Sequence, residues 1–346
     1  MWTEAWLREM ALWSEAAARR AALWSECASS AAFEEKGPAA STGDAYAALL
    51  ASATLGRPAV AGYLLACVVA RWLSAPGEFH PLDEPEHMRR RSFLKNGAVL
   101  LSAARLGRAD LLGEPALRRL FSYQHKGGGF FDMDPAQGLG IVEAFTTAWG
   151  GRLALRFGRF DAAKRAAHLL AEVIYAQPDP DGRLYFCYET TPSGPVARWQ
   201  VGEQHARYLA FDESVGETHQ LGMTLALLAE MHLAEPAAGW DRPLNAGLRL
   251  VERWPVALVR RPALASVAEG LAIAGWALGR AGEAVRPLLR EALSGVAEAV
   301  SPSGKLPPWD SGLGPEYGRA FSPLETAGWS ALCLAGMSQA LLNIKS

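Results

Sequence analysis

Four apolar stretches of this chain open with variants of one short pattern. Ser214-Val-Gly-Glu217, Ser266-Val-Ala-Glu269 and Ser322-Pro-Leu-Glu325 share the form Ser-x-x-Glu, and Gly140-Ile-Val-Glu143 is a looser copy. Each leads into roughly four turns of apolar, small-residue-rich sequence, such as AFTTAWGGRLAL after Glu143 and GLAIAGWAL after Glu269. These are copies of one buried helix, recurring at about the length of a helical hairpin with its loops, and repeats on that scale dictate the architecture before any motif does. Several similar rods that are apolar on nearly every side must pack against one another, so the pattern predicts one closed body.

The physical content of Ser-x-x-Glu is a capping box. The hydroxyl takes the amide of the third helical residue and the carboxylate reaches back to the amide of the serine. Pro323 adds a residue that suits the first helical position. On this reading Glu217, Glu269 and Glu325 start helices; a second, compatible reading turns several of them toward a shared cavity.

Helical periodicity places further segments at 2–35, 44–55, 58–74, 85–106 and 113–122. From there inner and outer helices alternate. Residues 140–157 are apolar nearly all round, whereas 159–176 sets Lys164, Arg165, His168 and Glu172 against an apolar stripe. The pairing repeats as inner 214–232 with outer 241–254 and inner 265–280 with outer 282–299, before a last inner helix over 322–342. The expected fold is all-α: an (α/α)6 toroid of about twelve helices in six hairpins, forming a single domain over 1–346.

Inner helices pass to outer ones through short turns, but outer helices return through long segments at 123–139, 177–213, 255–264 and 300–321. Loops of that length in a compact domain are binding loops or lids. In the longest, two β-prone runs flank Thr191-Pro192-Ser193-Gly194 and predict a small β-hairpin lid within about 177–213.

Composition narrows the function. Half the residues are hydrophobic, 20% are charged and the net charge is −2, so no nucleic-acid partner is expected. Cys27, Cys67, Cys187 and Cys333 lie far apart without zinc-ligand spacing, which fits reduced thiols, no metal and a cytoplasmic location. The N-terminal MWTEAWLREMALW is not a secretion signal, and no apolar run reaches membrane-spanning length. No G-x-S-x-G, H-E-x-x-H or P-loop pattern occurs, and Gly127-Gly128-Gly129 lacks a strand-to-helix setting, so no cofactor is expected. The sequence carries no signal for oligomeric state.

Gln124-His125-Lys126-Gly127-Gly128-Gly129-Phe130, after Leu117-Arg118-Arg119-Leu120-Phe121, resembles the Gln-x3-Gly-x-aromatic turn of the terpenoid cyclase and prenyltransferase toroids. Weaker echoes are Gln177-PDPD-Gly182 and Ser301-Pro302-Ser303-Gly304. In that superfamily the turn joins an outer helix to the next inner one. The acidic Asp-x-Asp-Asp run of class II terpene cyclases is absent; Asp132-Met133-Asp134-Pro135 has part of it. The same toroid is similar to six-hairpin glycosidases, uronyl hydrolases, polysaccharide lyases and sugar epimerases.

Parallel inner helices would gather their N-termini, with partial positive charge, around one mouth, which favours carboxylates, enolates or oxyanions. The candidate proton carriers there are Glu217, His219, Asp132, Glu143 and Asp212. Glu217 shares a helix face with Gln220 and Thr224 and would be a general acid or base if that face lines the cavity, with His219 filling the role otherwise. Candidate substrate contacts are His125, Phe131, Trp149, Trp199, Gln220, Trp309, Tyr317 and Glu325. The expected function is a cofactor-independent cyclase or isomerase for a small, partly apolar, oxygenated metabolite of terpenoid or polyketide type. Alternatives are a carbohydrate-active hydrolase, lyase or epimerase, and a non-catalytic helical binding protein. A pocket walled by Trp and Phe would favour the first, and one lined by Arg, Asn, Gln and Asp the second.

Overall fold

The computed structural model describes residues 42–79, 92–132, 141–191, 194–197, 208–211, 218–260, 265–279, 284–299 and 323–345, with Arg8 and Leu12. Six of its helices are inner: α1 (Thr42–Thr54), α3 (Ser92–Arg105), α5 (Ala144–Arg156), α7 (His219–Ala234), α10 (Ser266–Leu278) and α12 (Pro323–Lys345). Each packs on the next in that order, and α12 packs back on α1, so they form a ring. Outside it lie α2 (Pro58–Trp72), α4 (Glu114–Phe121), α6 (Phe160–Tyr175), α8 (Asp241–Glu252) and α11 (Arg286–Ala299), each packed against the inner helix that precedes it; a one-turn helix, α9 (Val256–Val259), follows α8.

Burial follows the sequence pattern. Every residue from Ala144 to Ala154 of α5 is buried, as is nearly all of α7. By contrast α6 buries Ala162, Ala163, Ala166, Ala167, Leu169 and Leu170 and turns Arg165, His168 and Glu172 outward. Inner helices hand over to outer ones through tight turns closed by left-handed glycines, such as Gly158 at φ 68° between α5 and α6.

The inner ring is tightest between α7 and α10. A Cβ on Gly222 would lie 2.5 Å from the carbonyl carbon of Ser266, and one on Gly270 would collide with the carbonyl oxygen of Gly222. Backbone there meets backbone, so a larger residue would have to push the two helices apart.

Among the described residues seven short strands sit beside the helices: β1 (Leu73–Ala75), β2 (Glu78–Phe79), β3 (Ile141–Glu143), β4 (Arg183–Tyr185), β5 (Cys187–Thr191), β6 (Gly194–Ala197) and β7 (Tyr208–Ala210). The hairpin falls where the sequence predicts it, with Thr191 opposite Gly194 across β5 and β6. One boundary differs. The start of the predicted 140–157 helix is strand, because Ile141, Val142 and Glu143 pair antiparallel with Glu189, Tyr188 and Cys187, and α5 begins only at Ala144. The β-branched pair Ile141-Val142 suits that ladder. Val142 then joins Leu169, Val173, Tyr185, Tyr188 and Phe131 in a small core that seats the sheet on α6.

Candidate functional site

The glutamine turns are fasteners. Gln124 follows α4 and donates through Nε2 to the carbonyls of Gly128 (3.0 Å) and Ala162 (2.8 Å), while its Oε1 accepts from Arg165 (2.6 Å). Gly128, at φ 101°, lies so close to the carbonyl of Arg165 that only glycine fits. The echo at Gln177, after α6, is used likewise: its Nε2 reaches the carbonyls of Val173 and Tyr185 and its Oε1 takes the Tyr185 amide. Both tie the end of one outer helix to the structure beside it. Phe130, fully buried, donates its amide to Thr147 Oγ1 on α5 (3.1 Å), which sets the turn against the inner ring.

The inner-helix starts carry the polar side chains. Ser92, Lys95 and Asn96 on α3, Thr146 and Thr147 on α5, His219, Gln220 and Thr224 on α7, and Ser266 and Glu269 on α10 are all buried within the first two turns of their helices. Gln220 is central. Its Oε1 accepts the amide of Phe145 (2.6 Å), one of the otherwise unsatisfied donors that open α5, and its Nε2 donates to Glu143 Oε1 (2.7 Å). The other oxygen of Glu143 accepts from Thr146 Oγ1 (3.3 Å). Two donors on two oxygens fix this carboxylate in orientation while leaving it partly exposed. Asp132 sits at the start of the neighbouring inner helix, where its carbonyl accepts the Phe93 amide (3.2 Å) and the Ser92 hydroxyl (3.4 Å).

Below this level the axis is filled by aromatic rings. Phe145 lies edge-on to His219 (5.0 Å between centroids) and to Trp329 (5.6 Å), and Trp329 edge-on to Trp149 (5.0 Å). These four side chains are buried and pack on one another, so they make a floor rather than the open aromatic wall expected of a cyclase cavity.

Beneath the floor is a network absent from the sequence reading. Arg152 on α5 donates to both oxygens of Glu269 (2.8 and 3.1 Å) and to both of Glu230 (3.0 and 3.2 Å), and Arg156 adds a contact to Glu230 (3.3 Å). Burial would by itself lower the pKa of Arg152, but Glu230 and Glu269 hold it well above its ordinary value. This corrects the capping reading of Glu269: no side-chain cap bond opens α10, the Ser266 hydroxyl goes instead to the carbonyl of His219 (3.4 Å), and the carboxylate turns inward. Gly336 on α12 makes room for it, since a Cβ there would strike Glu269. The clue was available: Arg152 and Glu269 are opposite charges inside two otherwise apolar helices, and such charges must pair.

The remaining expected site residues are dispersed. His125 lies on the fastening turn, its Nδ1 accepting the Gly127 amide (3.0 Å) and its ring edge-on to Phe131 (5.7 Å); burial and then Lys126 hold its pKa below the usual histidine value. Phe131 packs into the small core under the sheet. Glu325 falls within α12, with its side chain outside the described part of the structure, and Glu217, Asp212, Trp199, Trp309 and Tyr317 lie outside the described residues. Among the described residues no cluster of His, Cys, Asp and Glu could hold a metal ion, and no helix is long and apolar enough to cross a membrane.

No family model matches the chain, and no curated protein does. Among solved structures it is similar to an unsaturated glucuronyl hydrolase specific for heparin, at 13% identity and a TM-score of 0.60, over 94% of this chain and 96% of that one. The fold is an α/α toroid. A family 76 glycoside hydrolase from a bovine Bacteroides thetaiotaomicron strain also matches, at 14% identity and a TM-score of 0.47, over 88% of this chain and 68% of that one. The toroid expectation therefore stands as a fold; nothing found supports the terpenoid cyclase resemblance.

Proposed function

We propose that the protein is a carbohydrate-active enzyme that cleaves an acidic sugar by general acid/base chemistry. The observation that carries this reading is the Glu143 carboxylate, fixed by Gln220 and Thr146 where α5 begins, with Asp132 held through its main-chain carbonyl at the start of the neighbouring α3. Acid/base cleavage needs one group to deliver a proton and another to draw one from water. Glu143, held by two donors, suits the acceptor of the water proton. Asp132, with one carboxyl oxygen buried, suits the donor. The N-terminal ends of α3 and α5 favour a substrate that carries a carboxylate.

The solved toroid with a TM-score of 0.60 is a glucuronyl hydrolase, and that printed activity motivates the choice of a uronide. The test is a panel of unsaturated uronic-acid disaccharides and neutral glycosides, with product release followed by chromatography. Turnover confined to the uronides, falling about 100-fold or more in Asp132→Asn and in Glu143→Gln, is the expected result. No turnover on either panel, or full activity in both variants, would overturn the reading.

A further inference from the structure

At the opposite end of the ring, below the aromatic floor, a cavity of about 20 Å³ is lined by Leu101, Arg105, Trp149, Arg152, Arg156 and Leu332, among others. That is room for one water-sized or halide-sized particle. The polar side chains among its lining residues are donors alone: Arg105, Arg152, Arg156 and Trp149. Trp149, only 3% exposed, has an indole Nε1 buried with no hydrogen-bond partner among the described residues. Neither a guanidinium nor an indole can accept a hydrogen bond. A water placed among them would find no acceptor for its own hydrogens, whereas a monatomic anion accepts from every side.

The charges agree with the geometry. Arg105, Arg152 and Arg156 bring three positive charges, and Glu230 and Glu269 bring two negative ones. Both carboxylates are engaged by Arg152, and Arg156 shares Glu230. Arg105 is left with a hydroxyl, Oγ1 of Thr54, as its partner. The carbonyl ends of α3 and α5 offset part of this surplus. They leave the buried indole N–H unanswered.

We propose that this cavity binds a single small inorganic anion of the halide class, held by the Trp149 Nε1–H and the Arg105 guanidinium in the field of Arg152 and Arg156. Arg105 and Arg156 reach the surface, so the ion enters between them. Burial, followed by repulsion from Arg156 and Arg152, lowers the pKa of Arg105 to about 10, a strain that a bound anion relieves. The site is independent of the carbohydrate reading and survives or fails separately from it.

The test uses the full-length chain, with melting temperature followed in sodium gluconate, sodium chloride and sodium bromide at one fixed ionic strength. A saturable rise of several degrees with either halide is expected, because an ion that binds only the folded state stabilises it by mass action. The rise should vanish in Arg105→Gln and in Trp149→Phe and persist in Arg118→Gln on the outer surface. Equal melting temperatures in all three salts, or an undiminished halide effect in Arg105→Gln, would overturn the proposal. Should those variants fail to fold, crystals of the unaltered protein grown in bromide decide: an anomalous peak in the cavity supports the site, and water or empty density there refutes it.

Discussion

The two ends of the inner ring are built from opposite chemistry. At the mouth, helix starts present amides, and apart from Lys95 the side chains there are mostly neutral or acidic, among them Gln220, Thr146, Glu143 and Asp132. At the base, helix ends present carbonyls, and Arg105 and Arg156 are the last residues of α3 and α5, with Arg152 one turn earlier. Each end has the charge its helix dipoles favour. The difference is in how tightly the charges are held: Arg152, Glu230 and Glu269 at the base are locked into mutual pairs, whereas Glu143 and Asp132 at the mouth keep part of their surface open. One end holds the ring together and the other is free to act on something else.

That contrast can be broken. Arg152→Ala strands Glu269 without its partner in the interior and should cost about 3–5 kcal/mol in urea unfolding. A loss under about 1 kcal/mol would mean the base is not the anchor. Glu143→Gln should leave unfolding nearly unchanged but cut uronide turnover about 100-fold, equivalent to about 2.7 kcal/mol in the barrier; comparable losses of stability and turnover would erase the distinction between the ends. Gly222→Ala should destabilise by about 1–3 kcal/mol through the clash with Ser266, read as a lower midpoint in the same titration. Gln124→Ala should cost about 1 kcal/mol, since it removes a fastener outside the ring.

The smallest effect concerns pH. His125 has a folded-state pKa below its unfolded value, so the unfolded chain takes up more protons as pH falls through about 6.5. Its contribution is therefore present above that pH and is lost on acidification toward the folded-state pKa. Replacing His125 with Gln should flatten the slope of stability against pH in that window; an unchanged slope would assign it to other groups.

The ring was legible because its evidence is local. Apolar runs such as LGMTLALLA and the charged faces of α6 show within a few turns which helix is inner and which outer, and the turn at Gln124 marks a joint between them. What the sequence hid depends on partners far along the chain. Glu269 has a serine three residues before it and reads as a cap; only the fold brings Arg152 within reach and turns the carboxylate inward. Ile141 to Glu143 reads as the first turn of a helix until Cys187 to Glu189 arrives beside it. Asp132 and Glu143 could be named as candidates from their positions at the ends of loops. Their placement beside the starts of neighbouring inner helices comes from the packing of the ring, which no local pattern encodes.

Glu143 is the last residue of a paired strand and the residue on which α5 starts, and its aim is therefore inherited from a β ladder. Side chains alternate across such a ladder, so a slip of β3 by one position against β5 would send this carboxylate to the far side of the sheet. Substitutions that loosen the strand pairing, even well away from the mouth, would then redirect the Glu143 carboxylate without altering Glu143 itself.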